Sequence, residues 1–234
     1  AVGNVVGRYE AAEPGAKTLI TGSHIDTVRD AGAYDGNLGV ALPIACIAEL
    51  DSQNKRLPYA IEVVAFGDEE GVRFPTTLSG SRTIAGTIDL ATLSVTDAEG
   101  VSLRDALVHF GCDPEGIAGE ARKREEVAAF VEVHIEQGPV LESEGLPVGT
   151  VTAINGASRF AITLEGMAGH AGTVPMHLRK DALAGAAEMV AAIEQRAAAE
   201  EGLVATVGRL SVAPGAINVI PGKVTFTLDI RAPE

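Results

Sequence analysis

Tryptophan is absent from this 234-residue chain, aromatic residues make up only 4% of it, and cysteine occurs twice. Cys46 and Cys112 form no CxxC pair, which excludes a disulfide framework and a thiolate zinc site and fits a reducing cytoplasm. Positive charge is equally scarce, with 18 Lys and Arg against 32 Asp and Glu, for a formal charge of -14. That balance repels phosphate backbones and anionic lipid, so neither nucleic acid nor a membrane surface is an expected partner. No apolar run approaches the roughly 20 residues that span a bilayer, and no charged-then-apolar leader opens the chain. Hydrophobic residues still reach 46%, enough for a sizeable core.

Residues 17–22 predict a buried strand, 39–50 a core helix despite Pro43, and 60–66 a second strand broken by Gly67. A polar helix-and-loop stretch follows over 79–126, with a helix at 103 capped by Ser102, and a strand over 129–135 delivers His134. Alternating strands and helices predict an α/β domain with a mostly parallel central sheet over 1–150. From about residue 150 the style changes. Strands are predicted at 151–154, 159–165, 203–210 and 223–230, with an Ala-rich helix over 179–201. This is the pattern of a smaller α+β domain over 151–234. The first residue is Ala1, and the last predicted strand runs almost to the end, so a fragment of a longer enzyme with both domains incomplete is expected.

Chemistry concentrates in four stretches. His24 and Asp26 are two residues apart, so on extended backbone they point the same way, and the carboxylate is placed to orient the imidazole from behind. Asp35 precedes a helix, where it reads both as an N-cap and as a carboxylate able to bridge two cations. Glu69 and Glu70 follow a buried strand, where adjacent carboxylates repel unless a cation or a shared proton relieves them. In such pairs one glutamate binds metal and its neighbour takes a proton from water. His134 alternates with Val133 and Ile135. The plainer alternatives are a loop histidine, a helix cap, a surface charge run and a core histidine.

The strings GSHIDTV, YDGNLGV, DEEGVRF, VEVHIEQGPVLE, GHAGTVPMHLRKDAL, NVIPG and FTLDIRAP resemble the hydantoinase/carbamoylase family of two-metal amidohydrolases, within the clan of di-zinc aminopeptidases and deacylases. The match runs in order through nearly the whole chain. The resemblance implies that His24 and His134 bind one divalent ion, that Asp35 bridges it to a second, and that Glu70 binds the second. It makes Glu69 the general base, lets Asp26 orient His24, and places Gln137 in the substrate pocket. It makes residues 151–234 a lid and homodimerisation domain whose His170 polarises the scissile carbonyl, while Asn218 and Arg231 grip a substrate carboxylate. Arg's planar fork suits that task. His109 and His177 match no role and are expected in surface or loop positions.

The implied reaction is cleavage of a ureido or carbamoyl C–N bond by metal-bound hydroxide, with zinc or manganese as the ions and cobalt acceptable to the same ligands. Allantoate ranks first as substrate because RDAGAYDGNLGV and INGASRF look most like that subgroup. N-carbamoyl-L-amino acids, β-ureido acids, and dipeptides or acyl amino acids within the same clan are the rivals, and a non-catalytic dimerising fragment is the rival from another class. One departure from the family stands out. Relatives return from the lid to supply a last histidine to the second metal, and this sequence ends inside the lid.

Overall fold

The computed structural model describes residues 1–233, which divide into two compact units meeting between Pro147 and Val148. The first contains β1 (Val5–Tyr9), β2 (Thr18–His24), α1 (Asn37–Ser52), β3 (Ala60–Phe66), α2 (Ser79–Ala85), α3 (Leu103–Phe110), β4 (Val127–Val131) and α4 (Val140–Glu144). Its sheet has the order β1-β3-β2-β4. β2 runs parallel to both β3 and β4, and β1 closes one edge antiparallel. The expected α/β fold with a mostly parallel sheet is therefore present.

β3 is buried along its whole length because both faces are covered, as its nearly unbroken apolar sequence requires. Ile61 and Val63 pack with Val40, Ile47 and Leu50 of α1, while Val64 and Phe66 pack with Ile20 and with Ile84 of α2. The one charge in the strand, Glu62, is buried and accepts from Arg8 Nη1 and Arg122 Nε, each at 2.9 Å. Such pairing is what a buried carboxylate needs.

Three local features differ from the sequence reading. β1 was not legible in the sequence, being five residues with Gly7 and Arg8 inside it. β4 ends at Val131 instead of 135, leaving His134 beyond the ladder, and its Phe130 and Val131 are exposed. Residues 151–154 form no strand. His109 is exposed on α3, one of the surface positions expected for it. The Ser102 cap is present, its hydroxyl accepting from Asp105 N, and Pro43 is buried inside α1.

The second unit contains β5 (Gly156–Glu165), β6 (Gly169–His170), α5 (Ala182–Ala198), β7 (Val204–Thr206), β8 (Leu210–Ala213), β9 (Val219–Ile220) and β10 (Lys223–Ala232). β10 pairs antiparallel with β5 on one edge, and with β8 and then β7 on the other. The single strand expected over 203–210 is thus two, parted at residues 207–209. α5 starts at the Asp181 cap, whose carboxylate accepts from Leu183 N and Ala184 N. Its Ala182 and Ala186 pack on Val224 and Phe226, so alternation sends Thr225, Asp229 and Arg231 to the opposite face. β6 and β9 form a separate two-stranded ribbon.

Candidate active site

β2 and β3 end side by side, with His24 opposite Phe66, and this register brings the first histidine next to the acidic turn that follows β3. His24 is 6% exposed. Its Nδ1 lies 2.6 Å from the backbone carbonyl of Asp26, a contact that only a protonated Nδ1 can satisfy. His134 is held the same way, Nδ1 to the Ile135 carbonyl at 2.8 Å. Each neutral ring therefore turns a bare Nε2 inward.

The two Nε2 atoms are 3.1 Å apart. Asp35 Oδ1 stands 3.3 Å from His134 Nε2 and 3.7 Å from His24 Nε2, and Asp35 is buried. Three lone-pair atoms thus converge with no hydrogen between them when both rings are neutral. A cation is what such a set lacks. Imidazole and carboxylate donors suit zinc or manganese, so the residues present fit a divalent ion. A second group shares His24: one ligand atom from each of His24, Glu69 and Glu70 lies within 4.8 Å of the others. Among the described residues, Asp35 belongs to the histidine group and not to this one.

The backbone around the cluster explains its shape. Gly36 begins α1 at φ +73°, and a Cβ there would sit 2.5 Å from His24 Nδ1, so only glycine lets the helix start against the imidazole. Asp35 makes no cap; the N-cap of α1 is Gly36, with no side-chain bond. Its carboxylate instead accepts from Gln137 Nε2, at 3.0 Å to each oxygen. The Gln137 amide expected to line the substrate pocket is thus engaged with Asp35.

Asp26 also differs from expectation. Only its carbonyl touches His24; its carboxylate accepts from the backbone N–H groups of Glu69 and Glu70 at 3.0 Å. An ionised carboxylate facing consecutive N–H groups holds a turn, and here it fixes the glutamates. The other side of that turn is anchored to α2, where Ser79 Oγ donates to Asp68 Oδ2 at 2.6 Å and Ser79 N to the Asp68 carbonyl. Burial pushes the Glu69 carboxyl above the usual glutamate range; His24 opposes that shift only when its ring is protonated, and the charges of Glu70, Asp26 and Glu132 add to it. A raised carboxyl accepts a proton more readily, as a general base requires.

In the second unit, His170 ends β6 opposite Val219 of β9, and Ala171 N donates to the carbonyl of Asn218, so His170 and Asn218 are brought together. His170 Nδ1 accepts from Gly172 N at 3.0 Å, which leaves the ring hydrogen of the neutral form on Nε2. Arg179 braces this loop by donating to the carbonyls of Ala171 at 2.6 Å and Val174 at 3.1 Å. His177 is exposed in a short 3-10 turn.

Arg231 lies on the open face of β10, its Nε donating to Asp229 Oδ1 at 2.8 Å. Arg159 of β5, directly opposite Asp229, donates from its own Nε to Oδ2 at 2.9 Å. Sequence reasoning missed Arg159, although its alternation within the strand placed it on the face away from Phe160. Hydrogen bonds from Arg231, then Arg159, hold the Asp229 carboxyl down at about 2.

The family model of peptidase family M20/M25/M40 matches residues 20–225. The chain is 46% identical over 231 residues to the N-carbamoyl-L-amino acid amidohydrolase of Geobacillus stearothermophilus, covering 99% of this chain and 56% of that protein. It is 42% identical over 253 residues to the allantoate deiminase of Arabidopsis thaliana, covering 98% of this chain and 48% of that protein. The crystal structure of a hydantoinase/carbamoylase family amidase from Burkholderia multivorans superposes with a TM-score of 0.87 at 36% identity, over 100% of this chain and 56% of that one. The chain thus spans about half the length of the relatives it matches.

Proposed function

The chain belongs to peptidase family M20/M25/M40, and from that premise we propose that it carries the metal-binding part of an amidohydrolase that cleaves a ureido or carbamoyl C–N bond. One observation carries the reading: His24 Nε2, His134 Nε2 and Asp35 Oδ1 face one another bare, both rings being fixed by their Nδ1 bonds to backbone carbonyls. His24, His134, Asp35 and Glu70 would hold two divalent ions, zinc or manganese with cobalt accepted. When bound, such ions act as Lewis acids and lower the pKa of water. Glu69 takes the proton of the attacking water and passes it to the leaving nitrogen; its raised pKa fits both halves of that task. Asp26 holds Glu69 and Glu70 in register through their N–H groups. His170 offers an Nε2–H suited to a carbonyl that becomes an oxyanion. Arg231 and Asn218 take the substrate carboxylate.

Allantoate remains our first substrate, although the similarity to an allantoate deiminase and to an N-carbamoyl-L-amino acid amidohydrolase is nearly equal. We also propose a homodimer formed through the second unit and a cytoplasmic setting, the latter supported by two free cysteines. The peptidase name of the family gives dipeptides a place among trial substrates. The deciding experiment is elemental analysis after dialysis against zinc, beside His24→Ala, followed by ammonia release from allantoate and N-carbamoyl amino acids. Zinc held by the unaltered chain and lost in the variant is the expected result; equal zinc in both overturns the site. Glu69→Gln should keep the metal and abolish turnover, and retained turnover removes Glu69 as the base.

A further inference from the structure

The backbone ladder between β2 and β4 stops at the pair Thr21–Val131. Beyond it β2 stays with β3 as far as His24, and residues 132–138 leave the sheet. The two histidines thus sit on chains that have stopped pairing, yet their Nε2 atoms are 3.1 Å apart. Something other than the ladder must hold them.

Ser23, fully buried beside His24, donates its hydroxyl to Glu132 Oε1 at 2.5 Å. Glu132 lies one residue past the ladder and two before His134. Below this bond passes the first turn of α1, where Gly39 is so close that a Cβ would sit 2.6 Å from Ser23 Cβ and against the Val133 carbonyl. The helix packs on both ligand-bearing chains without a side chain between. Ser23 has no part in the chemistry above, and Glu132 enters it only as one of the charges that push Glu69 up. A hydroxyl bonded to a carboxylate is a strong, short link, here placed where sheet pairing has ended.

We propose that Ser23 and Glu132 are positioning residues: their hydrogen bond sets the spacing of His24 and His134 and so the affinity of the histidine site for a divalent ion. The idea rests on the metal reading of those histidines. It predicts that the bond matters and the charge does not, which a glutamine separates from an alanine, because an amide oxygen still accepts from Ser23.

The test is zinc affinity by chelator competition on the full chain and on Ser23→Ala, Glu132→Ala, Glu132→Gln and Ser23→Ala/Glu132→Ala, with thermal unfolding of the zinc-free proteins alongside. Partners that orient metal ligands are worth about 10- to 100-fold in affinity, so each alanine variant should lose at least about 10-fold. The double variant should lose no more than the worse single one, since both remove one bond. Glu132→Gln should bind like the unaltered chain. Alanine variants that bind like the unaltered chain, losses that multiply in the double variant, or Glu132→Gln failing as badly as Glu132→Ala would each overturn the proposal. If Ser23→Ala does not fold, the Glu132 pair, at an exposed position, decides. If the unaltered chain takes up no zinc, the metal reading fails by itself. The clamp is then decided by cross-relaxation between the His24 and His134 rings, whose centroids lie 5.3 Å apart: weakened in Glu132→Ala and kept in Glu132→Gln supports it, and unchanged in both overturns it.

Discussion

Two clusters in this molecule carry opposite deficits. Around His24, His134 and Asp35, acceptor atoms face one another with no positive group among them. Around Asp229, one carboxylate is shared by the Nε atoms of two guanidinium groups, leaving a net positive charge and N–H donors to spare. The first cluster offers acceptors suited to a cation, and the second offers donors suited to an anion. The charge a cluster leaves unbalanced is a better guide to its ligand than the residues' names.

The most severe way to break the contrast is His24→Ala, which removes the residue common to both candidate metal groups. Metal affinity should fall by more than the roughly 100-fold that outer partners can cost, read by zinc competition. Asp26→Asn comes next. Asparagine offers one acceptor oxygen where the carboxylate offers two, and loss of charge-assisted bonds to the Glu69 and Glu70 N–H groups should cost about 1.5–3 kcal/mol in thermal unfolding. Gly39→Ala forces a methyl against Ser23 and Val133, and overpacking should destabilise the chain by about 1–3 kcal/mol, measured in urea. The gentlest change, Asp229→Asn, sharpens the other half. The folded carboxyl sits at about 2 against an ordinary 3.8, so its contribution is full above about 3.8 and fades as the pH falls toward 2. The variant should therefore lose stability at neutral pH and show a flatter acid-unfolding curve between those values. The difference should shrink in high salt, because the group is open to solvent.

How far the sequence foretold these clusters depends on the kind of contact. The approach of His24 to the Glu69–Glu70 turn was legible because two predicted buried strands, 17–22 and 60–66, stop just before His24 and the acidic pair, and parallel pairing aligns their ends. The fold class followed from the same alternation. The roles of the Asp26 carboxylate and of Gln137 were not legible. Each depends on a turn with unusual backbone, Asp68 at φ +55° and Gln137 at φ +56°, that no side-chain pattern announces. β1 was hidden by Gly7 and Arg8, and the arch at 207–209 by a continuous strand-like composition. Arg159 lay in plain alternation, but its meaning came only from a partner 70 residues away.

Gly36 gives the site a further property. Because the helix start leans directly on the His24 ring, position 36 has room for a hydrogen and nothing more. In a saturation scan of this protein it will therefore look as intolerant as a ligand, although it carries no functional group. Readers of such a map should treat that silence as the imprint of an imidazole, seen from behind.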